Sequence, residues 1–224
     1  MTRKQAFLAA LRLETPDVVP VSPLIHSRYA HKLLGRTDWK AVFEVHQMLG
    51  STHFRGPIGV AWAVEGPPFC EVHTRVLQQD GVYRVEETVY SAPGVRLRAV
   101  DKHGMIPHDP ITHKRTEYPI KTVDDWAFYK RMLEDWLARP GHPFFATAAE
   151  AFEVMGEDGV PSVGISSAFS ALGAWRGMQE LIYDLYDIPD LLHELFELQV
   201  AVNAKHVDAF LASPCEVLFY DICW

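Results

Sequence analysis

The chain has 224 residues, a mass of 25.4 kDa, 48% hydrophobic residues and a formal charge of −8. That apolar content fits a soluble globular protein and excludes a disordered one, and no run of about 18 apolar residues is present to span a membrane. The acidic balance disfavours nucleic acid as a partner, because phosphates are held by clustered lysine and arginine, but it leaves room for a local basic pocket and an anionic small molecule.

Thr2 is placed to cap a helix through "RKQAFLAALRLE", with Phe7, Leu8 and Leu11 on one face. The apolar part of this stretch is short and no small-residue cleavage site follows, so a secretory leader is not expected. "TPDVVPV" ends the helix at Pro16, and residues 18–21 read as a short strand. A helix over 27–34 closes at Gly35, and another begins near Asp38 and runs to Gly50. "STHFRG" at 51–56 reads as a further strand.

The period then changes. "EVHTRVLQQ" and "VYRVEETVY" flank Asp80 and Gly81, a strong hairpin signal because both residue types tolerate positive φ. "APG" at 92–94 turns the chain again into "VRLRAV". Residues 70–119 are expected to form an antiparallel ribbon, and the alternating charges of Arg84, Glu86, Arg96 and Arg98 leave one face wet. Thr122 and Asp125 make a capping-box-like start to a helix over 126–138, and "FFATAAEAFEVMG" is a second helix. "VPSVGISS" at 160–167 reads as a buried strand, "WRGMQELIYDLY" as a helix, and Asp187 to Asp190 start the longest helix. "VLFYD" closes the order as a strand. Strands separated by helices predict a parallel sheet with right-handed crossovers, in one domain with the ribbon as an insertion.

Cys70, Cys215 and Cys223 lack CxxC spacing, which gives neither a disulfide framework nor a structural zinc site and makes a reducing cytoplasm the expected compartment. His103, His108 and His113 recur every five residues and are expected to be separate and solvent-exposed. Trp126, Phe128, Tyr129 and Trp136 sit at helical spacing and are expected in the core.

Read together, "RKQAFLAALRLETPDVVPV", "VGISSAFSALGAWRGMQELIYDLYDIPDLLHELFE" and "VLFYDICW" resemble the uroporphyrinogen decarboxylase superfamily: its opening helix and first strand, its third strand with a small-residue loop and following helix, and its fourth strand with an acidic end. The resemblance covers most of the chain outside the ribbon. It implies the N-terminal half of a TIM (β/α)8 barrel, about four strands of eight, with an antiparallel β insertion. An incomplete barrel leaves sheet edges uncovered, so the chain is expected to be a truncation, a fragment or one piece of an assembly, and to self-associate into a homo-oligomer, the alternative being an independent open α/β sheet of four strands.

The superfamily contains decarboxylases and cobamide-dependent methyltransferases. Decarboxylases carry "R-Q-A-G-R-Y" after the first strand, whereas this chain has "SPLIHSRYAHKLLG", matching only the closing pair as Arg28 and Tyr29. The lost arginine argues against a porphyrinogen with many carboxylates. The resemblance therefore implies methyl transfer between a corrinoid or methylated substrate and a thiol, with decarboxylation of a polycarboxylate as the alternative. A non-catalytic module docking on a corrinoid protein or second subunit is the third reading. Zinc would come through residues not present in this chain. By the resemblance, Asp221 stands at the mouth of the barrel as a catalytic carboxylate, or else caps the next helix. His26, after the first strand, is an acid/base or ligand, or else a cap. Arg28 and Tyr29, with Ser166 and Ser167 at the end of the third strand, are candidate substrate contacts. Cys223, two residues past Asp221, is a metal-ligand candidate weighed against a plain core thiol.

Overall fold

Thr2 receives the Gln5 N–H on its hydroxyl at 3.1 Å and donates its own N–H to the Gln5 side chain at 3.0 Å, which starts α1 (Arg3–Leu11) with a complete capping box. The computed structural model describes residues 1–54, 61–62, 69–106, 112–139, 143–144 and 146–221. Next come α2 (Ser27–Leu34), α3 (Trp39–Met48), β1 (His53–Phe54) and β2 (Ala61–Trp62). The ribbon is β3 (Glu71–Asp80), β4 (Tyr83–Ala92), β5 (Val95–His103) and β6 (His113–Glu117). A 3-10 turn (Val123–Asp125) leads into α4 (Trp126–Ala138), followed by β7 (Pro143–Phe144), α5 (Ala146–Met155), β8 (Gly159–Val160) and β9 (Ser162–Ser166). α6 (Ala168–Arg176), α7 (Met178–Asp187), α8 (Pro189–Leu211) and β10 (Val217–Asp221) complete a mixed α/β protein.

The parallel strands follow the expected logic. β8 and β9 are one run interrupted at Pro161, which has no N–H to donate. β1 pairs in parallel with its first part and β10 with its second, so each pair is bridged by helices. The sheets are open and do not close into a barrel. α1 holds one end of these strands: the Thr2 hydroxyl donates to Glu157 at 2.8 Å, and Lys4 pairs with Glu216 at 2.5 Å.

Residues 18–21 are not a strand. One backbone bond, from Thr52 N–H to the Val21 carbonyl at 2.8 Å, ties them to the approach to β1. Pro20 and Pro23 remove the donors that a ladder there would need.

The ribbon is a four-stranded antiparallel sheet in chain order β3-β4-β5-β6. Asp80 pairs with Tyr83, so the first hairpin turns on Gly81 and Val82, one residue later than expected. Gly81 has φ +57°, and it supplies the positive φ at the first turn position that Val82 does not have to share. Leu77 is an extra residue in β3 between the registered pairs at Val76 and Gln78. On one face, Arg75, Glu87, Arg98, Glu117 and Lys121 form an unbroken line of alternating charges across all four strands and beyond. His103 and His113 are not separate: they are registered partners on β5 and β6, with ring centroids 5.0 Å apart. His108 lies outside the described residues.

The largest core lies between the ribbon and the helices. Leu97 packs with Trp126, Phe128, Tyr129, Met132 and Leu133 of α4, Leu172 of α6, Leu181 of α7 and Leu192 and Leu195 of α8. Trp136 packs against this cluster as a partly buried neighbour. A smaller cluster, Ala151, Val163 and Cys215, backs the parallel strands. Residues 168–174, expected as a loop, are helix α6, because the Ser167 hydroxyl accepts the Ser170 N–H at 3.1 Å and caps it. Gly177, at φ +86°, separates α6 from α7.

Candidate functional site

α2 is packed through Ala30 against Ala41 and Val45 of α3, which turns its other face outward. That outward face carries Arg28, Tyr29 and Lys32, all exposed. Together with Leu24, Ile25, His26, His31 and Leu49 it lines an open cleft of about 1040 Å³, whose far wall is Ile106 and Thr112 from the loop between β5 and β6. The cleft therefore joins the loop before α2 to the ribbon.

Its electrostatics are unlike the acidic whole. Arg28 and Lys32 are four residues apart, on one face, and neither has an acidic partner among the described residues. By contrast Arg36, Arg98, Arg115 and Arg139 are all paired. Like charges at this spacing cost about 0.2–0.5 kcal/mol in a helix. Arg28 also lies in the first turn, beside the positive end of the helix dipole, where a cation is disfavoured. His26 occupies the N-cap position without a side-chain capping bond, while its carbonyl accepts the Tyr29 and Ala30 N–H groups at 2.9 and 3.3 Å. Cations and apolar walls in one cleft suit a ligand with an anionic head and an apolar body.

Three expected site residues, His26, Arg28 and Tyr29, are thus gathered in one cleft. Ser166 and Asp221 are gathered elsewhere: they are registered partners at the C-terminal ends of β9 and β10. Ser166 is exposed, and the position of Gly164 on the same pleat opens onto free space. A relay fixes this strand end, with Tyr129 donating to Gln199 at 2.7 Å, Gln199 to Asn203 at 3.1 Å, and Asn203 to the Ser166 carbonyl at 3.0 Å. Ser167 is used by α6: besides its capping bond, its hydroxyl donates to Ser170 at 2.9 Å. Neither serine borders the cleft.

Among the described residues, no three histidine, cysteine, aspartate or glutamate side chains converge as a metal-binding group. Cys223, the metal-ligand candidate, lies outside the described residues. No helix among those described is long and apolar enough to cross a membrane.

Lys32 and His31 were not among the expected contacts, although Lys32 follows Arg28 by one helical turn and that spacing is a readable signal. Ile106 and Thr112 reach the cleft only through the tertiary fold. In comparisons with known proteins, no family model, no curated protein and no solved structure matches the chain.

Proposed function

We propose that the cleft over α2 binds an anionic, partly apolar small molecule and that the chain is a uroporphyrinogen decarboxylase-like protein acting in methyl transfer between a corrinoid or methylated substrate and a thiol. The observation that carries the binding half is the Arg28–Lys32 couple, without an acidic partner among the described residues, facing apolar walls in a protein of net charge −8. The methyl-transfer half rests on the resemblance of the sequence, with helix-bridged parallel pairs as support. In this reading the parallel strands are part of a (β/α)8 barrel, and Ser166 and Asp221 stand at its mouth.

Decarboxylation of a polycarboxylate is a second reading, and one observation favours it. Lys32 restores a second cation beside Arg28, which partly answers the arginine missing from the decarboxylase motif.

Tryptophan-fluorescence titrations with methylcobalamin and with uroporphyrin, a stable polycarboxylate, separate the two. The methyl-transfer reading expects saturable corrinoid binding, and thiol-dependent loss of the methylcobalamin spectrum. The decarboxylase reading expects tighter porphyrin binding. In either case Arg28→Glu and Lys32→Glu should each weaken binding about tenfold or more, since a charge-assisted bond contributes about 1.5–3 kcal/mol. Binding that ignores both charge reversals would remove the cleft from the account.

A further inference from the structure

α7 breaks the pattern that a surface helix should follow. Leu181 and Asp184 face inward, at 0% and 3% exposure. On the opposite side, where charged residues are expected, stand Ile182, Tyr183 and Tyr186, at 43%, 52% and 83% exposure. Leu185 extends the patch, and Gln179 fixes the Tyr183 hydroxyl with a hydrogen bond at 3.2 Å. Large, rigid aromatic side chains that project into water beside aliphatic ones are the composition of an interface centre.

The surroundings say what would cover it. From Gly177 to Ala204 there is no lysine or arginine, while Glu180, Asp184, Asp187, Asp190, Glu194 and Glu197 are acidic. Asp184 is neutralised by Arg176 and Glu194 by Lys130. Glu180, Asp187 and Asp190 remain exposed around the patch, with Arg176 reaching Glu180 only at 3.9 Å. α7 packs on α6 and α8, and the one cation that either supplies near it is the buried Arg176. A second copy would bring the same acids against these and be repelled, as would an anionic lipid surface. A basic surface is attracted.

We propose that the outward face of α7 docks a basic amphipathic helix of another protein, its apolar side on Ile182, Tyr183 and Tyr186 and its lysines or arginines against Glu180, Asp187 and Asp190. A contact of one ten-residue helix, about 15 Å long, is the size such a partner fills. The inference is independent of what the α2 cleft binds.

A synthetic leucine–lysine amphipathic helix is the probe, titrated by fluorescence anisotropy with hydrogen-exchange mapping of the bound protein. Saturable binding is expected, with protection gained over α7 and the start of α8. Tyr186→Ser, and separately Ile182→Ser, should weaken it about tenfold or more while leaving the thermal midpoint unchanged. Asp187→Asn with Asp190→Asn should weaken it and flatten its salt dependence, whereas Asp80→Asn on the ribbon should not. The proposal fails if the probe does not saturate, if protection falls elsewhere, or if Asp80→Asn matters as much as the α7 variants. It also fails if light scattering shows a dimer that the Tyr186→Ser variant converts to a monomer, since the occupant is then a second copy.

Discussion

Burial keeps the imidazole of His206 neutral far into the acid range, pushing its pKa down from the ordinary 6.5 to about 4. His46, buried beside Ser51 with 2.9 Å between Nδ1 and the hydroxyl, is shifted the same way by the same cause. In both cases the unfolded chain takes up a proton before the folded one. Their contribution is fully present above pH 6.5 and is lost as pH falls below it, for His206 down to about 4. For His206 the full shift corresponds to roughly 3–4 kcal/mol, and screening of the partly exposed ring by water brings the loss down to about 2–3 kcal/mol. Carboxylates act lower: Glu87 is held down by Arg75 and Arg98, and Asp101, which burial alone would raise, by Arg115 and His113. Urea midpoints should therefore fall between pH 6.5 and 4.5, and His206→Gln should flatten that interval; an unchanged slope would contradict the assignment. At this scale the sequence disclosed half of the cleft. His26, Arg28 and Tyr29 are local to one loop and helix, so chain order is enough to group them. Ile106 and Thr112 join them only because the ribbon folds back, about eighty residues later in the chain.

Where α6 meets α7, a charged pair sits inside the protein. Arg176 grips Asp184 with two bonds, at 2.8 and 3.0 Å, and donates to the Lys121 carbonyl at 2.6 Å, while Trp126 Nε1 donates to the same carboxylate at 2.9 Å. Both side chains are almost wholly buried. Removing one partner strands a buried charge, so Asp184→Asn should destabilise by about 3–5 kcal/mol in denaturant unfolding. A loss below 1 kcal/mol would show that the pair is solvated. The elements themselves were legible where caps or periods mark them, as at Thr2, Gly35, Asp38 and Asp125. α6 was not, because Ala168, Ala171, Gly173 and Ala174 give it no apolar stripe and its cap is Ser167 without a glutamate three residues on. Residues 18–21 misled in the other direction, since valines favour a strand while Pro20 among them and Pro23 just beyond deny it hydrogen bonds.

Taken as a whole, the molecule stores its stability away from the parallel strands. Among the described residues, twelve buried hydrophobic ones join the ribbon to α4, α6, α7 and α8, against three behind β9 and β10. Hydrogen exchange should accordingly be slowest in β4, β5 and α4, near the limit of global unfolding, and much faster in β10. Equal protection in both regions would refute this division. The sequence showed both layers but not which held the larger core, because core size depends on how the ribbon lies over the helices. One consequence concerns crowding at high concentration. β3 lies at the edge of its sheet with all ten residues exposed, a length that would normally template fibre growth by strand addition. The extra residue at Leu77 bends that edge midway, and Glu71, Arg75 and Asp80 charge it on either side. A straight strand from a neighbouring molecule loses register at the bend, so the ribbon can stand exposed in solution without seeding polymers of itself.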